Sequence, residues 1–168
     1  MREPGTPLIE VVLASNAHRP DLERLLARIE AEDHPENPEA AARAPQELAD
    51  SLARYDALSS DATWFLMAYH TGNPAGLAVL SRVPKLDRRV GFLYLDELHV
   101  LAEYRRRGIG HALMDAAIEL ARAQGLHGIR LLTRPDNRAA RSFYEAIGGR
   151  RSETLLYQFS VERGEPAS

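Results

Sequence analysis

The sequence predicts a mixed α/β fold on one sheet, and three stretches carry that prediction. Phe92 to Gln124 is an apolar run rich in Leu, Phe, Tyr and Val. It is followed by a charged turn with two glycines and then an apolar stripe at helical spacing, which reads as buried strand, tight turn and helix. Thr63 to Val83 holds two apolar runs flanking Thr71-Gly72-Asn73-Pro74, the pattern of a β-hairpin. Gly128 to Ile147 repeats the order of strand, polar turn and helix. Antiparallel strands that lead into a strand, helix and strand make a mixed sheet, because the last crossover joins parallel neighbours.

Taken in order, Leu8 to Leu13 is a first strand, bounded by Pro7 and Ser15-Asn16. Asp21 to Glu32 is helical, with Pro20 and acids near its start and Leu22, Leu25, Leu26 and Ile29 as its apolar stripe. The acidic, proline-containing segment Glu30 to Pro45 reads mostly as a solvated loop. A second helix over Gln46 to Leu58 buries Leu48, Leu52, Tyr55 and Leu58. The hairpin comes next, then the long strand and its helix, whose stripe is Ile109, Leu113, Ala116, Leu120 and Ala121, ended by Gly125. Gly128 to Thr133 is a strand, Asp136 or Asn137 caps a helix ending at Gly148-Gly149, and Thr154 to Val161 is a closing strand. The expected order is β-α-α-β-β-β-α-β-α-β, in one domain over residues 7–162 with a tail at 163–168.

Composition narrows the function. At 168 residues, 27% charged and net −3, the chain resembles an ordinary soluble protein and lacks the basic balance of a general nucleic-acid binder. With no cysteine it forms no disulfide, thiolate metal site or acyl-cysteine intermediate. No stretch reaches the roughly 20 apolar residues of a membrane span, and Met1 to Pro7 lacks a signal-peptide layout. A cytoplasmic protein is the expectation.

The charged turn, Arg105-Arg106-Arg107-Gly108-Ile109-Gly110, suits a phosphate. The first N–H groups of a helix have no partner inside it and carry the positive end of its dipole. Glycines allow close backbone approach, and arginines add charge and forked donors. No Gly-Lys-Ser/Thr follows and no three-glycine fingerprint is present, so neither a nucleotide P-loop nor a dinucleotide site fits. By itself the turn also suits a solvated basic corner at a glycine helix start.

The order of elements, together with LDELHVLAEYRRRGIGHALM and RPDNRAARSFYEAIGG, resembles the GNAT superfamily of acyl-CoA-dependent N-acyltransferases over most of the chain. The resemblance implies acetyl-CoA in a cleft where the fourth and fifth strands splay, and no metal. It implies that the backbone of Leu98, His99 and Val100 pairs with the pantetheine arm. The amides of Arg105, Arg106, Arg107, Gly108, Ile109, Gly110 and His111 would cradle the pyrophosphate. Asn137 and Ala140 match positions that contact the cofactor arm, and Tyr144 matches the tyrosine near the sulfur. A homodimer is plausible on the same ground.

Acyl transfer to an amine requires a neutral amine, a stabilised oxyanion and a proton for the leaving thiolate. An alkyl ammonium with a pKa of about 10.4 must lose its proton first. Glu97 is the candidate base, because it interrupts an apolar strand beside the expected splay; strand alternation puts His99 on its face and Asp96 on the other. The competing role for Glu97 is an ion pair that pins a loop. For Tyr144, helix spacing by itself favours an ordinary half-buried tyrosine, and the FYEAIGG context favours the sulfur. The main-chain N–H of Val100 is the candidate oxyanion donor. No serine in a recognisable nucleophile setting is present, so direct attack in a ternary complex is expected. The amine itself stays open: the acids of Glu30 to Pro45 hint at a cation such as a polyamine or aminoglycoside, and a peptide remains an alternative. So does an acyl-CoA-binding module without chemistry.

Overall fold

The structure, a computed structural model, describes residues 8–86 and 90–159. Five strands, β1 (Ile9–Leu13), β2 (Thr63–His70), β3 (Asn73–Val83), β4 (Phe92–Val100) and β5 (Ile129–Arg130), lie in chain order across one sheet. Neighbours are antiparallel through β4, and β5 runs parallel to β4. The β2–β3 hairpin closes through Thr71 and Gly72, at φ 50° and 82°. Two positive φ values in a two-residue loop match the right-handed twist of the flanking strands.

Helices α1 (Arg19–Asp33) and α2 (Pro38–Tyr55) follow β1. The apolar stripe of α1 packs Leu22, Leu25 and Ile29 on one face of the sheet with Met67, Leu77 and Leu101. Tyr69 on that face donates its hydroxyl hydrogen bond to Asp21 at 2.8 Å. Burial, followed by that carboxylate, pushes the Tyr69 phenol up to about 12. Helix α3 (Ile109–Ala123) covers the opposite face and buries Ile109, Leu113, Met114, Ala117 and Ala121.

Gly76 in β3 lies directly under α3. A Cβ there would stand 2.8 Å from the His99 carbonyl oxygen, 3.2 Å from Leu113 and 3.3 Å from Ile109. Gly76→Ala is therefore expected to lower stability by about 1–3 kcal/mol, the usual cost of overpacking a tight contact. Denaturant unfolding measures it, and an unchanged midpoint would mean that β3 and β4 separate freely here.

The structure departs from the sequence expectation in two places. The segment Glu30 to Pro45 is not a loop: α1 runs on to Asp33 and α2 starts at Pro38, eight residues before the expected start at Gln46. Asn37 accepts a hydrogen bond from the Ala40 amide at 3.2 Å, and Pro38 occupies the first turn, where a missing N–H costs nothing. The alanines at 40–42 then favour continuation, and Pro45 is carried inside the helix. Second, the closing strand expected over Thr154 to Val161 is absent from its described part: residues 151–159 form neither strand nor helix, and Leu155, Leu156, Tyr157 and Phe159 are exposed. Alternation marks a segment able to pair, but a strand forms only where a partner supplies the ladder. The end of that segment, the tail at 163–168 and the domain start at Pro7 lie outside the described residues.

Contacts divide the chain into two compact units at Leu132/Thr133. The second unit contains α4 (Arg138–Ala146), capped by Asn137, whose Oδ1 accepts from the Ala140 amide at 3.1 Å. Its end is fixed by Gly149, whose N–H donates to the Tyr144 carbonyl at 2.8 Å.

Candidate active site

The site in the first unit begins with an irregularity in β4. Leu80 pairs with Leu95 and Val79 with Glu97, so Asp96 is an extra residue without a partner, a β-bulge. Upstream, Leu93 and Leu95 are buried. Downstream, Glu97 pairs with Val79 and His99 with Leu77, which sets both on the α1 side of the sheet. Leu98 and Val100 pair with Ala78 and Gly76 and share the α3 side. Glu97 and His99 thus share a face, as alternation predicts.

On its other edge β4 pairs with β5 only at Leu93–Ile129 and Tyr94–Arg130. Strand β4 continues for six more residues, to Val100, while β5 ends at Arg130. Among the described residues, the β5 edge of this half of β4 is left without a strand partner. An extended ligand with its own amides fits such an edge as an added strand.

Past Val100 the chain makes a 3-10 turn, Ala102–Tyr104, and enters α3. Arg106 at φ 62° and Gly108 at φ 84° turn it in left-handed conformations. Ala112 is the first amide of the helix to bond within this segment, to the Gly108 carbonyl at 3.0 Å. The amides of Ile109, Gly110 and His111 precede it, in the first turn where no intrahelical acceptor exists. Arg106 and Arg107 are exposed, and the Arg107 guanidinium stands 5.9 Å from the Tyr104 ring centroid. Tyr104 in turn lies 5.4 Å from the ring of His70, a buried residue. Arg105 differs from its two neighbours. Its amide donates to the Ala102 carbonyl at 3.2 Å, and its Nε donates to the Val100 carbonyl at 2.9 Å.

Facing β4 is the last turn of α1. The His99 ring lies between two of its carboxylates, with Nε2 3.6 Å from Glu32 and Nδ1 3.8 Å from Asp33. Glu97 is exposed in area, yet partial desolvation pushes its carboxyl above the ordinary range. The negative charges of Asp96, Glu30 and Asp33 push the same way, and His99 opposes them. This concentration of like charge favours a cation and raises the proton affinity of Glu97. No ion pair to Glu97 is found among the described residues, so the loop-pinning role has no partner here. Nor are three or more His, Asp or Glu side chains grouped among those residues to hold a metal.

In the second unit, Tyr144 is half-buried on α4, with its ring edge-on to Phe143 at 5.2 Å between centroids. Burial raises its phenol pKa, so the hydroxyl stays a proton donor at neutral pH. The cap engages Asn137 Oδ1 and leaves its amide NH2 as a donor pair. A recess of about 110 Å3 lined by Leu58, Ser60, Thr63 and Trp64 opens at the other end of the strands and carries no charged group.

Two contributors escaped the sequence reading. Gly76 had a signal, since an isolated glycine in a strand pattern marks close backbone approach. Glu32 had none, because its partner Ala102 is 70 residues away.

A half-open strand leading into an anion-receiving helix start fits one class of protein, and comparison with known families agrees. The chain belongs to the acetyltransferase (GNAT) family, whose model matches residues 23–148. It is 33% identical over 104 residues to N-acetyltransferase family 8 member 3 of Rattus norvegicus, covering 61% of this chain and 45% of that protein. The chain thus spans less than half of that relative. Among solved structures it is similar to an integron cassette protein from the mobile metagenome of V. cholerae, with TM-score 0.76 and 21% identity over 91% of this chain and 93% of that one. An aminoglycoside N-acetyltransferase in complex with CoA gives TM-score 0.72 and 19% identity, over 95% and 99% of the two chains. At these identities the solved structures show a shared fold. No helix among the described residues is long and apolar enough to cross a membrane.

Proposed function

We propose that this protein transfers an acetyl group from acetyl-CoA to a primary amine on a cationic small molecule, by direct attack in a ternary complex. The observation that carries the reading is the unpaired half of β4 running straight into the first-turn amides of α3. That is a run of strand-like hydrogen-bonding groups ending at an anion site, and the donor is an amide-bearing arm ending in a pyrophosphate. The backbone of Leu98, His99 and Val100 would hold the arm, and the amides from Arg106 to His111 with the Arg106 and Arg107 side chains would hold the pyrophosphate. Asn137 and Ala140 are assigned to the arm as well.

In the chemical step, Glu97 takes a proton from the acceptor ammonium, directly or through one water. The freed amine attacks the thioester carbonyl, and the Val100 N–H meets the charge that develops on its oxygen. As the C–N bond forms, the C–S bond breaks and the thiolate receives a proton from Tyr144. The acids Glu30, Asp33, Asp96 and Glu97 favour a cationic acceptor. A polyamine or an aminoglycoside has that charge, and the second is the substrate named for the CoA-bound fold relative.

The reading is tested by calorimetric titration with acetyl-CoA, followed by a free-thiol release assay over a panel of amines. Thiol released only with particular amines identifies the acceptor. Binding without turnover would favour a sensor that has lost chemistry. Within this scheme Tyr144→Phe should cut kcat by about 10-fold, the low end for proton transfer because a thiol of pKa about 8.5 is a good leaving group. Acetyl-CoA affinity should hardly move, and an unchanged kcat would remove the role.

A further inference from the structure

We infer that Glu32 is a positioning residue for the donor turn, and that Arg105 works inside the protein rather than on the donor's phosphates. This rests on the acetyl-CoA reading above. Both Glu32 oxygens accept from the Ala102 amide, at 3.1 and 3.0 Å. That amide opens the 3-10 turn which carries the chain from β4 to the glycines. The same carboxylate lies 3.7 Å from Arg105 Nη2, and Arg105 Nε donates to the Val100 carbonyl. One carboxylate and one guanidinium therefore tie three pieces together: the end of α1, the last carbonyl of β4 and the start of the turn.

A second tie runs in parallel. Arg28, one turn earlier on α1, donates to Glu103 at 2.6 Å. Helix α1 grips the turn at consecutive residues, a backbone N–H and a side chain. The grip orients the next three residues: Tyr104, the arginine stacked over Tyr104, and the left-handed step at Arg106 that aims the first amides of α3. Arg105 occupies the first position of the Arg-x-x-Gly-x-Gly run, yet its amide, Nε and one terminal nitrogen face protein partners. The exposed charge of the run then belongs to Arg106 and Arg107. Glu32 also faces the His99 ring, so the residue that fixes the donor turn borders the acidic acceptor side.

The test is a double-mutant cycle read by acetyl-CoA affinity and by kinetics. Glu32→Ala should weaken acetyl-CoA binding about 10-fold, with the loss in the acetyl-CoA KM rather than in kcat. Arg105→Ala should cost about 5-fold, and the double variant no more than Glu32→Ala by itself, because both substitutions break one unit. Glu32→Gln keeps an oxygen for the Ala102 amide and should recover most of the affinity. It also serves if the alanine variant fails to fold. Multiplying losses, with Arg105→Ala the larger, would place Arg105 on the phosphates and overturn the inference. So would Glu32→Ala that binds as the parent does. A parent that takes up no acetyl-CoA would overturn the donor reading and this inference together.

Discussion

Gly108→Glu should raise the acetyl-CoA dissociation constant at least 100-fold, through two effects at one atom position. Gly108 sits at φ 84° as the residue before α3, and an L side chain held there costs about 1–2 kcal/mol. The added carboxylate would also stand at the positive end of the helix, where the donor's pyrophosphate is proposed to bind. A Cβ itself finds room, with the Ile9 side chain 3.7 Å away, so the fold should survive. Gly108→Asn separates the effects: it tolerates the left-handed region and adds no charge, and should keep affinity within about 10-fold of the parent. Titration calorimetry on both decides the matter. If Gly108→Glu binds like the parent, the turn is not the anion site.

The second large effect is expected at Glu97, where rate and stability should move in opposite directions. Glu97→Gln removes the proposed base and should lower kcat by about 100-fold. The deficit should be widest above the titration of Glu97 and below that of the acceptor ammonium, since only there does the parent hold a base while the amine still needs one. Stability tracks the raised carboxyl pKa. A folded state that holds a proton more tightly than the unfolded chain gains from it at low pH and loses that gain as pH rises through the folded value. At neutral pH the ionised Glu97 therefore opposes folding, and the glutamine variant should unfold at an equal or higher temperature. Below the ordinary glutamate range the two proteins should converge. Thermal scans at pH 4 and pH 7 beside pH–rate profiles check both halves. A variant that retains the parent's rate across the profile would end the case for Glu97.

The parts legible in sequence are those where the signal is local. The β4–turn–α3 stretch carries its apolar run, its glycines and its helical stripe within some thirty residues, and it folds as read. Asn37 and Asn137 both cap helices, but only the second was recognised, because the prolines at 38 and 45 looked like breaks. The first of them is a helix-start residue, and the second is held within α2 by its context. Leu155 to Phe159 alternates like a strand, yet alternation says nothing about whether an edge is available. The bulge at Asp96 and the grip of Glu32 on Ala102 depend on contacts between distant segments, which no window of sequence contains.

The extra residue in β4 also bears on how a ligand would meet this protein. A bulge bends its strand and increases its twist, and here it falls just beyond the last residue of β4 that pairs with β5. The gap beside β4 is then a property of the covalent chain, present before anything enters it. A guest that lies along that edge displaces no partner strand and need not pull the sheet apart on arrival. Its affinity can be set by the contacts it makes rather than diminished by an opening step, the advantage of a preorganised receptor.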